Sequence, residues 1–279
     1  YLERPNHNFA RGQSAQFTVA PELKDTMRRC ESCHTVASHG SWLPYVDRHM
    51  TVLSCESCHV PHLYAPAIEK VDWTVLNADG SSVVSCRGTE DPNGGIDALI
   101  EGFTPVLMMR DNIDGNPQLA PYNLISAWYW VYDDANGAKR TVPLADLQAT
   151  WFEDGAYAAD LMAVFDSNRD GALDETELRL DSDAKTAAVA ARLAAQGLDN
   201  PRVEGEVQPY SINHNVTRGE WATRDCQACH RDDAALNQPM QLAGFTPGGV
   251  TPSFVSDANI ANSGDIVQGE DGVLYFQPA

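Results

Sequence analysis

Six of the seven cysteines in this 279-residue chain fall into three copies of one pattern, Cys-x-x-Cys-His. The copies are Cys30-Glu31-Ser32-Cys33-His34, Cys55-Glu56-Ser57-Cys58-His59 and Cys226-Gln227-Ala228-Cys229-His230. In this pattern two thiols add across the vinyl groups of a haem, and the adjoining histidine becomes the proximal ligand of its iron. Structural zinc is the competing use of such cysteines. Zinc prefers paired Cys-x-x-Cys knuckles, however, and does not need a histidine directly after each second cysteine. Three repeats therefore point to three covalently bound haem c groups.

An iron that only carries electrons needs a sixth ligand. Five of the eight histidines lie outside the motifs: His7, His39, His49, His62 and His214. Five candidates for three sites favour bis-histidine ligation, with the distal set read as His39, His49, His214 and His7. His62 follows His59 by three residues with Pro61 between, so it cannot serve the same iron and would serve a neighbouring one. A methionine ligand would raise the potential, but the six methionines read more simply as packing residues.

A second metal chemistry is written at Asp166-Ser167-Asn168-Arg169-Asp170-Gly171-Ala172-Leu173-Asp174-Glu175-Thr176-Glu177. Hard Ca²⁺ takes six to eight oxygens, and a twelve-residue loop of this pattern offers them in order. The donors would be Asp166, Asn168, Asp170, the Ala172 carbonyl, Asp174 and a bidentate Glu177. Gly171 supplies the sharp turn, and the flanks Tyr157 to Phe165 and Glu175 to Leu180 read as helices. Sensor loops usually come in pairs, so a lone one reads as a structural staple. The remaining cysteine, Cys86, reads first as a small half-apolar packing residue beside Arg87.

Composition narrows the partners. A formal net charge of -20 argues against nucleic acid and against an anionic membrane surface. No apolar run of 18 or more residues is present to span a bilayer. Covalent haem attachment belongs to the oxidising outer side of the bacterial membrane, so the chain is expected to be periplasmic or extracellular. A leader would then precede Tyr1.

These groups must be positioned by elements of modest length. Residues 1–70 hold two haem motifs 25 residues apart, which leaves room only for short helices and turns. Residues 71–142 read as a hairpin-containing insert. One hairpin turns at Asn77 to Gly80 and another at Asp133 to Gly137. Residues 143–200 read as a helical segment carrying the calcium loop, from Pro143 at a helix start to Gly197 at a stop. Residues 201–279 carry the third motif and a turn-rich tail with a hairpin around Gly269 to Gly272. The expected fold class is α+β, largely irregular and organised by haem, with a helical EF-hand insert.

Parts of the chain resemble a known family, the octahaem tetrathionate reductase-like multihaem cytochromes. The stretch His49-Met50-Thr51-Val52-Leu53-Ser54-Cys55-Glu56-Ser57-Cys58-His59-Val60-Pro61, followed by Val71-Asp72-Trp73, is similar to that group's His-x5-Cys-x-x-Cys-His-Ile-Pro run with its downstream Trp-Asp-Trp. His39 is similar to its histidine shortly after the preceding motif. Pro209-Tyr210-Ser211-Ile212-Asn213-His214 resembles the approach to its last haem. The resemblance spans about 90 residues in patches and implies electron-transferring His/His haems. The family's N-terminal haems, including its Lys-ligated catalytic one, have no counterpart here, and the calcium loop is not part of its pattern.

The sequence thus predicts a trihaem cytochrome that passes electrons between redox partners. Those partners would be further haem-bearing chains or a membrane-bound electron-transfer complex. The alternative is a redox enzyme, or a subunit of one, acting on a small sulfur or nitrogen compound at one haem.

Overall fold

The structure is a computed structural model, and it describes residues 30, 34–91, 98–111, 116–255 and 263–279. His7 and Cys33 lie outside the described residues. The spine is strand β4, Pro117–Asp133, and every other strand of a seven-stranded sheet is placed by it. Strand β8 (Asp199–Ser211) runs antiparallel to β4 from Tyr122↔Ser211 to Asp133↔Asp199. Strand β1 (Ala67–Leu76) lies parallel on its other side, with Lys70 opposite Ser126. Strand β2 (Ser82–Arg87) pairs with β1. Strands β3 (Val106–Asp111) and β5 (Lys139–Thr141) pair with the two ends of β4, and β10 (Ser253–Phe254) with β8.

Both expected hairpins form. The first closes where the Asn77 N–H donates to the Ser81 carbonyl, with Gly80 at φ 78°. The second closes where the Asp134 N–H donates to Ala138, with Gly137 at φ 74°. The tail hairpin forms as well, joining β11 (Gly264–Gln268) to β12 (Leu274–Pro278) beside β9 (Met240–Ala243).

The fold is mixed α+β with irregular stretches between its elements, as expected, but its strands assemble into a larger sheet than the sequence reading gives. The four sequence segments are also not separate units, because β8 comes from the third-haem segment and joins the sheet of the insert. The reason lies in β4. Its run from Ala120 to Leu124 is buried residue after residue, so it lacks the alternation that marks a half-exposed strand.

The core lies between this sheet, the helices and the tail strands. Trp128, Trp130, Trp151, Phe165 and Phe276 are all fully buried. The two β4 indoles keep their N–H groups satisfied, Trp128 on the Val250 carbonyl at 2.8 Å and Trp130 on Thr74 at 3.0 Å. Helix α3 (Leu144–Trp151) begins after Pro143 and buries Leu147 and Trp151. Helix α4 (Ala159–Phe165) buries Leu161 and Phe165. The small hairpin of β6 (Phe152–Glu153) and β7 (Ala156–Tyr157) joins these two helices. Helix α5 (Asp183–Ala195) is capped by Ser182 and buries Lys185, Val189 and Leu193, one face at a spacing of four. No helix among the described residues is long and apolar enough to cross a membrane.

Candidate functional site

The histidine and cysteine motifs gather at one end of the sheet, where β3 and β8 end and β4 begins. Helix α1 (Val46–Val52) and helix α2 (Cys55–His59) are fastened there. The Ser54 N–H donates to the Leu119 carbonyl at 2.9 Å, and the Ser57 hydroxyl donates to the same oxygen at 2.7 Å. Gln118 donates to the Met50 carbonyl at 2.7 Å. A small apolar cluster of Val60, Leu63 and Ile212 lies under α2.

The second and third motifs are each wound as one helical turn. The second is α2 itself. In the first and third, the histidine N–H donates to the carbonyl of the leading cysteine, His34 to Cys30 at 2.8 Å and His230 to Cys226 at 2.9 Å. One turn of this kind carries the first cysteine and the histidine, four positions apart, onto a common face.

Two pairs of imidazoles then lie opposite one another with their planes nearly perpendicular. His39 and His59 have ring centres 6.0 Å apart and planes at 83°. His49 and His230 have ring centres 6.2 Å apart and planes at 88°. Two imidazoles on opposite sides of one metal, each bound at ~2 Å, would hold their ring centres about 6 Å apart. In each pair one histidine belongs to a motif and the other does not.

The hydrogen bonds of these rings select one nitrogen. His59 Nδ1 lies 2.8 Å from the Thr217 carbonyl, which requires an N–H there and leaves Nε2 with its lone pair. His39 and His49 point Nδ1 at the Val36 and Tyr45 carbonyls, each at 3.2 Å. Tyr45 takes the left-handed φ of 54°, a strained value for a tyrosine, and its carbonyl also accepts the His49 N–H.

The second and third motifs are in contact through the segment that precedes the third. The Thr223 N–H donates to the Cys58 carbonyl at 2.8 Å, and the Thr217 N–H donates to the His59 carbonyl at 2.7 Å. Burial pushes the Cys58 thiol up to about 11, and the neighbouring Cys229 thiol adds to the rise. Among the described residues no three His, Cys, Asp or Glu side chains form a ready metal cage.

A buried ion pair sits within the second motif. Glu56 carries 3% side-chain exposure and meets Arg110 at 3.3 Å, while Arg110 also donates to Asn213 at 2.9 Å. Arg110, Asn213 and the Thr217 carbonyl were not singled out in the sequence. Only the tertiary fold brings them to the motif.

The other histidines are placed differently. His214 is exposed on the bend after β8, and the structure does not set it against a second histidine among the described residues. His62 packs at a tilt against Tyr64 with ring centres 4.4 Å apart, and its Nε2 lies 3.3 Å from the Glu101 carbonyl. The structure thus engages His62 with Tyr64 and with the segment at Glu101. Cys86 is half-buried on the edge strand β2, opposite Ile68.

The acidic loop lies away from this end. Its entry is α4, as expected, but Glu175 to Leu180 is a turn and not a helix, and the next helix begins at Asp183. Leu178 and Leu180 are buried and the Leu180 carbonyl accepts the Gly248 N–H, so packing draws the exit out of helical form. Asp166 accepts the Arg169 and Gly171 N–H groups at 2.6 and 3.0 Å, and Asp170 accepts Ala172 at 2.9 Å. Glu177 reaches back to the Ser167 N–H and hydroxyl, both at 2.8 Å. The Ser167 hydroxyl bond holds the Glu177 carboxyl below the usual carboxylate range, and the Thr176 hydroxyl, with the Glu177 and Thr176 N–H groups, does the same for Asp174. All six donor positions offer oxygen, and Gly171 takes the φ of 85° that a sharp turn needs. The donor chemistry suits a hard cation.

No known family model matches the chain. No curated protein matches it either. Among solved structures, an octahaem cytochrome c from Shewanella oneidensis aligns with a TM-score of 0.43 and 15% identity, covering 81% of this chain and 53% of that one. The chain thus spans about half the length of that structure.

Proposed function

We propose that the chain is a trihaem c-type cytochrome that passes electrons between redox partners. The observation that carries this reading is the pair of crossed imidazoles, His39 with His59 and His49 with His230, each joining a motif histidine to a distant one. One haem would be held by Cys55, Cys58, His59 and His39. Another would be held by Cys226, Cys229, His230 and His49. The first motif, Cys30, Cys33 and His34, would hold the remaining one, with His7 or His214 as its sixth ligand. The haem supplies one-electron chemistry at iron, while the chain sets ligation and surroundings.

The residues around the motifs then have definite tasks. Nδ1 bonds to the carbonyls of Val36, Tyr45 and Thr217 fix the tautomer and the tilt of three ligand rings. The Glu56–Arg110 pair neutralises a carboxylate inside a motif. The loop Asp166 to Glu177 would bind one structural Ca²⁺ through Asp166, Asn168, Asp170, Ala172, Asp174 and Glu177. The chain would work in the periplasm or outside the cell, and its acidic surface suits a basic patch on a further redox protein.

The reading is tested by haem content and spin state. Three haems per chain, all low-spin in the oxidised protein, are expected. A high-spin iron that binds a small sulfur or nitrogen compound would instead favour the enzyme.

A further inference from the structure

Strand β1 begins at Ala67, yet its pairing with β4 covers only Lys70 to Asp72, opposite Ser126 to Trp128. Ahead of Lys70, side chains bridge the two strands in place of the main-chain ladder. The Asn123 amide nitrogen donates to the Ile68 carbonyl at 2.9 Å. Arg87 reaches from β2 across the intervening β1 and donates through Nη2 to the Leu124 carbonyl at 2.9 Å. Its cross-strand partner on β1 is Ala67, whose methyl group leaves room for the crossing.

Each of these side chains has one polar atom left over. Arg87 and Asn123 are only 8% and 7% exposed, and neither Arg87 Nε nor Asn123 Oδ1 finds a hydrogen-bond partner among the described residues. The Ile68 carbonyl fixes the amide, because the reversed orientation would set oxygen against oxygen. One donor and one acceptor therefore remain, on groups anchored at the adjacent residues Asn123 and Leu124. Burial lowers the Arg87 pKa to about 10, against the opposing charge of Glu69, so the guanidinium is still a cation at neutral pH.

We propose that a single buried water molecule binds between Arg87 and Asn123, accepting from Nε–H and donating to Oδ1. The chemistry of the two atoms selects water. An anion would suit the guanidinium but would meet the amide oxygen, and a metal cation would suit the oxygen but meet Arg87. An apolar molecule would satisfy neither. Internal waters bind where a fold leaves polar groups over, and ordering one costs less than leaving a charged donor unmade in the core. This water would complete the seam where β1 joins β4 and let a cation reside beneath the sheet. It does not depend on the haem or calcium readings.

The test uses the full chain with its cofactors in place. A crystal structure that resolves waters is expected to show one density peak within about 3.2 Å of both atoms. Oxygen-17 relaxation dispersion counts long-lived waters in solution, and Asn123→Leu, similar in size but without polar atoms, should hold one fewer than wild type. A direct Arg87–Asn123 hydrogen bond, separate waters on the two atoms, or an anion beside Arg87 would each overturn the proposal. Equal water counts in wild type and Asn123→Leu would do the same. Should that variant fail to fold, the density in the wild-type crystal decides alone.

Discussion

A single imidazole is the smallest unit on which the electron-transfer reading can fail. His49 is half-buried, and the Tyr45 carbonyl orders its ring opposite His230. In His49→Ala the iron at Cys226 and Cys229 is expected to lose its sixth ligand and become high-spin, while the His39–His59 pair stays low-spin. Electron paramagnetic resonance and carbon monoxide binding would show one altered haem out of three. A spectrum identical to wild type would remove His49 from the ligand set. A second residue-scale expectation concerns Asp72, which is 1% exposed in β1 and accepts the Thr74 N–H at 2.9 Å and the Thr74 hydroxyl at 2.6 Å. Burial raises its pKa above the usual carboxylate value, against the opposing pull of Lys70 and the Thr74 bonds. The folded chain therefore holds this proton to higher pH than the unfolded chain does. Its contribution to stability is fully present below the unfolded pKa and is lost as pH rises through the raised folded value. Asp72→Asn keeps an acceptor for Thr74 and removes the buried charge. Urea midpoints should then rise at pH 7 and fall less between pH 4 and pH 7 than in wild type.

Elements explain why some of the site was legible and some was not. The motifs, the acidic loop and the three hairpins are local patterns, and each sits where its residues place it. The Asn77 to Gly80 turn is one such case, because asparagine and glycine supply the turn geometry by themselves. The ligand pairs are different in kind. His59 is oriented by a carbonyl 158 residues away in sequence, and nothing near either residue announces that contact. The exit from the acidic loop was misread for a related reason. Glu175 to Leu180 has acceptable helix formers, but burial of Leu178 and Leu180 overrides propensity. Arg110 belongs to this scale, since it joins β3 to α2 through Glu56 and to the end of β8 through Asn213. Arg110→Met should leave the Glu56 carboxylate buried beside an apolar chain and cost about 2–4 kcal/mol, less than a fully enclosed pair because Arg110 is partly exposed. Denaturant unfolding measures the loss, and Glu56→Gln in the same chain should recover part of it.

At the scale of the whole molecule, β4 lies between the Cys-x-x-Cys-His motifs and the acidic loop. Helix α1 and the second motif are fastened to its start, at Gln118 and Leu119. The helices around the acidic loop pack towards its other end, where Trp130 donates to Thr74 and Tyr157 donates to Leu76. The eleven residue steps of strand from Leu119 to Trp130 span roughly 35–40 Å at ~3.4 Å each. Charges that far apart are screened at physiological salt, where the Debye length is about 8 Å. Calcium bound at the loop should therefore stabilise the fold without tuning the irons. Chelation, or Glu177→Gln, which removes a negative donor from the closing position, is expected to lower the melting temperature by several degrees. The haem midpoint potentials should stay within experimental error of the calcium-loaded protein. Redox titration of the same sample with and without chelator decides the matter. A potential that moves with calcium would mean that the sheet transmits a structural change from one end to the other. An unchanged melting temperature would mean that the loop is not a brace at all.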